Sequence, residues 1–176
     1  MNVVLSKNVQ VENFALLIDL GIVTVPEGYV HRTRLGTFGK QNRKRFYYYD
    51  EKVSDENFSS PTRILRPGDR FHVRVFEQTV GGTTSSDERM AFLSVQNTVR
   101  VGAQGLSLVF EQKQHQLQKD KWYASFDEKR RLFIDQSGFN WVPGIGMHSD
   151  GAIELGVYCF QSPWELDDVF FCFNDV

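Results

Sequence analysis

Alternation of apolar and polar residues marks several short strands along the chain. The clearest case is RFHVRVFEQ at 70–78, where Phe71, Val73 and Val75 share one side, as in a strand with one buried face. Apolar runs bounded by turn residues predict further strands over 98–101, 121–126, 139–143, 153–160 and 168–175. The last two are apolar almost throughout, so they are expected to pair with each other near the centre of a sheet.

Residues 29–50 are predicted to form a β-hairpin. YVHRTRLGTF and RKRFYYYD are interpreted as its two strands, and GKQN between them supplies the turn. Period-two alternation in the second strand puts Arg45, Tyr47 and Tyr49 on one face and the residues between them on the other. Arginines of the first strand would then lie opposite tyrosines of the second, where each cation–π contact contributes roughly 0.5–1 kcal/mol.

Helical signals occur in three segments. Residues 9–22 carry apolar side chains near helical spacing and end at Gly21, which predicts an amphipathic helix. Ser85 and Glu88 form a capping box in front of a second helix. For 106–117 two alternatives stay open: a helix with a solvated, Gln-rich end, or a β-hairpin that turns at GAQG.

Two weaker signals follow in the second half of the chain. Ser125 and Glu128 form another possible capping box, so a helical turn is predicted through DEKRRLF. GIGMHSDG, residues 144–151, is rich in glycine and is predicted to be a flexible loop.

Together these elements predict an α+β fold. We expect one globular domain over 1–176, with a mostly antiparallel sheet of six to eight strands and two or three short helices. The strands recur without the regular β-helix-β alternation that a parallel sheet requires. With 176 residues, of which 41% are hydrophobic, the chain can bury a substantial core. It has no internal repeat or linker that indicates a second domain.

The first residues and the cysteines bear on the compartment. MNVVLSKNVQVENFALLIDLG contains only short apolar runs, whereas a signal peptide or a membrane span requires a longer one. The protein is therefore predicted to be soluble and cytoplasmic, with no membrane partner. Cys159 and Cys172 are expected to be reduced thiols in that compartment. A disulfide between them stays open, because the predicted pairing of 153–160 with 168–175 would place them opposite each other.

Charge is distributed unevenly along the chain. The net charge is −2, yet the segment from His31 to Arg74 holds 11 lysines and arginines and only 5 acids. From Asp150 to the end there are six acids and no lysine or arginine. A local basic field attracts anionic partners even on a slightly acidic molecule. The alternative is that the two regions neutralise each other, within one molecule or between subunits.

The stretch KQNRKRFYYYDEK, residues 40–52, is the strongest candidate for a binding surface. Cations next to exposed aromatic rings are how proteins hold single-stranded nucleic acid. The candidate binding residues are Arg32, Arg34, Arg43, Lys44, Arg45, Tyr47, Tyr49, Arg63 and Arg66. The alternative is a strand with one face in the core and the other forming a ladder of arginines and tyrosines that needs no ligand.

Signals for catalysis or metal binding are weak. The four histidines lie in separate elements, and Glu111 with His115 is the one pair at helical metal-ligand spacing. The acids near the end, including Asp167 and Asp168, are more typical of a solvated loop than of paired catalytic carboxylates. No sequence motif of a hydrolase, a metal site or a nucleotide site occurs. We therefore expect no metal and no cofactor, and catalytic residues are not assigned.

Three functions are carried forward. The first is a non-catalytic interaction module that binds a protein or a second copy of itself. The second is single-stranded nucleic-acid binding through the basic and aromatic 32–74 region. The third is a small hydrolase whose histidine, cysteine or carboxylate groups are brought together by folding. A histidine within about 3 Å of a Cys, Ser or Asp side chain in a cleft would indicate the third.

Three segments carry a resemblance. ERMAFL, VGAQGLSLVFEQK and KWYASFDEKRRL resemble runs in uncharacterised hypothetical proteins of uncultured, small-genome bacteria, over roughly residues 15–176. The resemblance implies a bacterial, intracellular setting. No activity is assigned to such proteins, so it implies no functional residue.

Overall fold

Eight strands form one mixed sheet in the computed structural model, which describes residues 11–176. The strands are β1 Phe14–Thr24, β2 Tyr48–Tyr49, β3 Arg70–Gln78, β4 Lys121–Ala124, β5 Phe133–Ile134, β6 Asn140–Met147, β7 Ile153–Cys159 and β8 Asp168–Asp175. Their order is β1-β3-β8-β4-β6-β7-β2, and β5 pairs with β6 beside this path. The β4–β8 and β2–β7 pairs are parallel and the others antiparallel. The predicted α+β class is confirmed.

Three α-helices cover the two faces of the sheet. They are α1 Arg34–Asn42, α2 Ser86–Val95 and α3 Gly102–Lys113. Helices α1 and α3 pack on one face in a large apolar cluster, and α2 packs on the other face in a second cluster. A Cβ on Gly105 would lie 3.2 Å from the ring of Phe173, so this glycine lets α3 approach the sheet closely.

Strand β8 lies near the centre of the sheet. Its residues from Val169 to Phe173 are all buried, because helices cover both faces there, and this explains the continuous apolar run. The predicted pairing of β8 with β7 is wrong, since β4 and β6 lie between them. The two cysteines on these strands are accordingly free thiols, and Cys172 contacts the hydroxyl of Thr98 at 2.9 Å.

Strand β1 replaces the helix predicted over 9–22, of which residues 9 and 10 lie outside the described residues. Its ladder with β3 has two irregularities, between Leu16 and Ile18 and between Asp19 and Gly21. Each extra residue shifts the alternation of side chains, so apolar residues recur at intervals of three and imitate a helix. The same irregularities protect this edge strand from pairing with other chains.

Helix α1 replaces the predicted hairpin over 29–50. Leu35 and Phe38 lie on one helical face and are buried in the same apolar cluster as α3. At the start of the helix, Asp55 accepts hydrogen bonds from the amides of Leu35 and Gly36, both at 2.8 Å. Tertiary contacts therefore stabilise a helix that contains two glycines, and local propensity does not reveal it.

The other helical predictions have mixed outcomes. The capping box of α2 is confirmed: Ser85 Oγ accepts from the amide of Glu88, whose carboxylate accepts from the amide of Ser85. Helix α3 settles the open choice for 106–117 in favour of a helix. Ser125 caps nothing, since its hydroxyl donates to the carbonyl of Gly102 at 2.7 Å, and only a 3-10 turn forms at Lys129–Arg131.

The predicted loop 144–151 is half strand. Its first four residues complete β6, and only the second half turns. Glycines in this strand leave space for side chains of neighbouring strands, as described below. No helix among residues 11–176 is long and apolar enough to cross a membrane.

Asp127 joins the loop before β3 to the start of α3. Its buried carboxylate accepts hydrogen bonds from the amides of Thr62, at 3.1 Å, and Glu128, at 2.7 Å. Burial raises the pKa of the Asp127 carboxyl above its ordinary value, against the lowering effect of these hydrogen bonds. In its folded environment this carboxyl therefore takes up a proton at a higher pH than in the unfolded chain.

This predicts an unusual pH dependence. When the pH falls from 7 through the raised pKa, protonation of Asp127 favours the folded state, and the gain is complete below the unfolded pKa. The free energy of unfolding of the wild type, minus that of Asp127→Asn, is therefore expected to increase on acidification. Urea unfolding of both proteins across this range measures it. A difference that shrinks at lower pH would show that the hydrogen bonds outweigh burial.

Candidate functional site

The nine candidate binding residues do not form one surface. Arg34 is buried between helices, Arg63 and Arg66 lie in the loop before β3, and Arg32 is exposed in the turn before α1. The remaining five, which are Arg43, Lys44, Arg45, Tyr47 and Tyr49, come together where the 3-10 turn Arg43–Arg45 leads into β2.

Arg34 has a structural role. Its guanidinium donates to Glu111 Oε2 at 2.6 Å and to Ser107 Oγ at 2.7 Å, and both partners lie on α3. The rings of Tyr29 and Phe38 flank it at 5.8 and 5.7 Å. Arg34 thus ties α1 to α3 and is not available to a ligand.

Arg63 is likewise engaged within the molecule. It lies 3.7 Å from Asp69 and 3.5 Å from Asp175 and packs over the ring of Phe71. Phe71 and Asp175 belong to β3 and β8, which are separated from β2 by β4, β6 and β7. Arg63 is therefore separated from the candidate residues around β2 and does not belong to the same surface.

The exposed cations and rings around β2 form what we call the edge surface. It comprises Lys40, Arg43, Lys44, Arg45, Tyr47 and Tyr48. Tyr47 is 83% exposed and Tyr48 51%, which is unusual for side chains of this size. Lys40 and Lys44 form no ion pair with any residue of 11–176. Positive charge and apolar ring area are therefore both available at this edge.

Two arginines of the edge surface are held in place by stacking. Arg43 lies over the ring of Tyr49 at 5.2 Å and pairs with Glu51. Arg45 lies over the ring of Phe110 at 4.9 Å and donates to Asn42 Oδ1 at 3.1 Å. Both remain exposed. Stacked guanidinium groups lose little conformational freedom on binding a partner.

Tyr49 is half-buried, so one of the two tyrosines predicted to be displayed is largely unavailable. Its hydroxyl lies 2.8 Å from where a Cβ of Gly39 would be, so the glycine makes room for the ring against α1. Burial raises the pKa of Tyr49. A cavity of about 480 Å³ lies beside it, lined in part by Lys40, Arg43 and Asp55.

A polar network lies on the other side of the sheet edge that β2 forms. The sequence predictions do not include it. His148 Nε2 lies 3.0 Å from Glu154 Oε2, and the hydroxyl of Tyr158 donates to Glu154 Oε1 at 3.2 Å. Trp122 packs edge-on against His148, with ring centroids 5.8 Å apart. Burial, followed by the nearby Glu154 carboxylate, raises the pKa of Tyr158.

Register places two members of this network, Trp122 and Glu154, in one row across five strands. Asp168, Trp122, Gly146, Glu154 and Tyr48 are consecutive partners on β8, β4, β6, β7 and β2. Their side chains point to one face of the sheet, and strand spacing makes the row roughly 19 Å long. We call the part of this row from Asp168 to Glu154, with Asp150 and His148 beside it, the acidic face. The glycines that alternate with other residues along β6 are a sequence signal for this row.

The edge surface and the acidic face meet at Tyr47. A cavity of about 300 Å³ is lined by Tyr47, His148, Asp150 and Ala152. The amide of Tyr47 donates to the carbonyl of Ile153 at 2.8 Å, which holds the backbone of Tyr47 next to the β6–β7 turn. This cavity thus places Tyr47 of the edge surface next to Asp150 of the acidic face.

The side chains of residues 11–176 do not assemble a recognisable catalytic or metal site. No group of three or more His, Cys, Asp or Glu in this range is placed to hold a metal ion. His72 lies 2.6 Å from Asp19, but both are exposed on the ladder of β1 and β3. Glu111, which is at metal-ligand spacing from His115 in the sequence, forms an ion pair with Arg34. The His148–Glu154 pair has no serine or cysteine among its described hydrogen-bond partners.

Comparisons with known proteins add no family. No protein-family model, curated protein or solved structure matches this chain. The resemblance to hypothetical bacterial proteins therefore stays a prediction, and function has to be inferred from the geometry alone.

Proposed function

We propose that the protein is a non-catalytic interaction module that docks an acidic protein surface on its edge surface. The observation that carries the proposal is the 83% exposure of Tyr47 on a surface whose Lys40 and Lys44 form no ion pair with residues 11–176. Tyrosine and arginine are the residue types enriched at the energetic centres of protein interfaces. An acidic partner that covers these rings makes apolar contacts with them and also forms ion pairs with the neighbouring cations.

Single-stranded nucleic acid is supported less well by the same geometry. A stacking platform needs several rings along a continuous positive groove, and the edge surface offers only Tyr47 and Tyr48 as exposed rings. Arg34 and Arg63 are engaged inside the molecule. The neighbouring acidic face, with Asp150 and Glu154, repels phosphates. Nucleic-acid binding is therefore the alternative that the experiment below distinguishes from protein binding.

The test compares a surface variant with a matched control. Lys44→Glu/Tyr47→Ala reverses one charge and removes one exposed ring of the edge surface. Arg131→Glu/Phe139→Ala makes the same change elsewhere, at residues that are also exposed. Immobilised wild type, variant and control are incubated with nuclease-treated extract of the source cells. We expect proteins that bind the wild type and the control to be depleted about tenfold or more on the variant.

Salt provides the second readout. Because the docking is electrostatic in part, retention on the wild type is expected to fall as salt rises. Equal retention on all three baits would reject the edge surface as the docking site. Recovery that disappears after nuclease treatment, and that returns with an added oligonucleotide, would favour nucleic-acid binding instead.

A further inference from the structure

The edge surface and the acidic face are complementary to each other as well as adjacent. The segment from His31 to Arg74 has a net charge of +6, and the segment from Asp150 to the end has −6. Among the ion pairs within residues 11–176, a single one, Arg63–Asp175, joins these two segments. Apart from that pair, the charged groups of the two segments do not neutralise each other directly.

From this arrangement we propose that the partner of the edge surface is a second copy of the chain, docked about a twofold axis that passes beside Tyr47. The inference rests on the proposed function and names its partner. A twofold interface must be complementary to itself. A surface divided by a line into a basic half and an acidic half meets that requirement, since rotation by half a turn places each half on its opposite.

Particular groups on both sides of the line are available for such contacts. On the basic side, Lys44 is exposed and has no described ion pair. On the acidic side, Asp150 is exposed, and its carboxylate accepts a hydrogen bond from the amide of Ala152 but contacts no cation. Tyr47 and Tyr48 lie at the line itself, where the axis would bring them against their own symmetry mates.

The end of the sheet supports the same placement. β2 covers β7 only at Glu154 and Leu155, and β7 continues to Cys159. Within residues 11–176, the outer side of this last part of β7 has no strand partner. Open strand edges are sites where another chain adds contacts. The open part begins at Gly156, three residues beyond the Ile153 carbonyl that pairs with Tyr47, so it belongs to the same edge of the sheet as the proposed axis.

Because the two halves border each other, the assembly closes at two copies. If the basic and acidic halves lay on opposite ends of the molecule, docking would be head-to-tail and would continue into longer chains. The mass of the assembly therefore distinguishes the two arrangements.

The experiment is sedimentation or light scattering of the wild type at about 0.1 M and about 1 M salt, between which the Debye length falls from about 10 Å to about 3 Å. We expect a dimer at the lower salt and weaker association at the higher. Lys44→Glu and Asp150→Lys alone are each expected to raise the dimer dissociation constant about tenfold or more. Arg131→Glu, a charge reversal away from the line, is expected to leave it unchanged.

Mixing the two charge-reversal variants provides the decisive measurement. A Lys44→Glu chain carries acids on both halves and an Asp150→Lys chain carries cations on both, so an equimolar mixture is expected to form a one-to-one heterodimer. Restoration by mixing also shows that both variants are folded. A monomeric wild type, a dimer that both reversals leave intact, species larger than two, or a mixture without heterodimer would each overturn the inference. A monomer that still captures a partner through Lys44 and Tyr47 would overturn it while leaving the proposed function standing.

Discussion

Replacing Arg89 by alanine is expected to lower the free energy of unfolding by roughly 3–5 kcal/mol. The side chain is 0% exposed, and every hydrogen bond of its guanidinium goes to a neutral acceptor. It donates to Thr84 Oγ1 at 2.9 Å, to Gln78 Oε1 at 3.0 Å, and to the carbonyls of Asp168 and Glu165 at 2.7 and 3.3 Å. The single side chain thus joins α2 to β3 and to the segment that leads into β8.

The cation persists at neutral pH despite its burial. Burial lowers the pKa of Arg89 to about 10, which leaves the guanidinium charged at pH 7. The rings of Trp164 and Phe170 each lie 5.2 Å from it and stabilise the charge through cation–π contacts. Removal of the side chain leaves a cavity and several buried acceptors without donors, and both effects destabilise the folded state.

Urea unfolding of Arg89→Ala measures the change, and Arg130→Ala is the matched control. Arg130 is exposed, and its ion pair with Glu128 is a surface pair, so its loss is expected to cost less than about 1 kcal/mol. Arg89→Met tests whether packing alone suffices, because it fills much of the volume without donating. A change below about 1 kcal/mol in Arg89→Ala would show that water or local rearrangement satisfies the acceptors.

The second large effect is expected at Gly144. A Cβ there would lie 2.5 Å from the ring of Tyr158 and 2.9 Å from the carbonyl oxygen of Tyr123. The carbonyl belongs to β4, which is hydrogen-bonded to β6 and to β8, so it cannot move aside without disturbing two ladders. Gly144→Ala is therefore expected to destabilise the protein by roughly 1–3 kcal/mol.

Gly156 provides the matched control on the neighbouring strand. It is the register partner of Gly144, but its Cβ would lie 3.8 Å from the Tyr158 hydroxyl, an ordinary contact. Gly156→Ala is expected to leave stability unchanged or to raise it by up to about 1 kcal/mol, because alanine restricts the unfolded chain more than glycine does. Thermal unfolding of the two variants side by side measures the difference. Equal stability of both would show that Tyr158 and β4 adapt to the added methyl group.

The predictable elements are those whose signals are local. Strand β3 alternates over its whole length, and the capping box of α2 lies within four residues. The sequence predicts a helix in place of β1 because the irregularities of this strand are visible only against β3. It predicts a strand in place of α1 because α3 and Asp55, which stabilise the helix, come from elsewhere in the chain. The aromatic residues that follow α1 favour a strand by propensity. The sequence therefore predicts a hairpin over this segment and not a helix.

The candidate site was predictable in composition but not in arrangement. Arg43, Lys44, Arg45 and Tyr47 were identified as a basic and aromatic surface, and the structure places them together. The sequence predicts Tyr48 on the face opposite Tyr47 and Tyr49, within a strand of eight residues, whereas β2 has only two residues and ends the sheet. The His148–Glu154 network depends on the β6–β7 register, for which the alternating glycines of β6 are the one local signal.

The parallel pairing of β2 with β7 determines when the edge surface comes into existence. Tyr48 and Glu154 are about a hundred positions apart in the chain, and such distant pairings form only after a large loss of chain entropy. During synthesis, the chain must emerge as far as the β6–β7 turn before Tyr47 and Asp150 can become neighbours. A partner that recognises both therefore binds folded molecules and not nascent chains that still lack this turn.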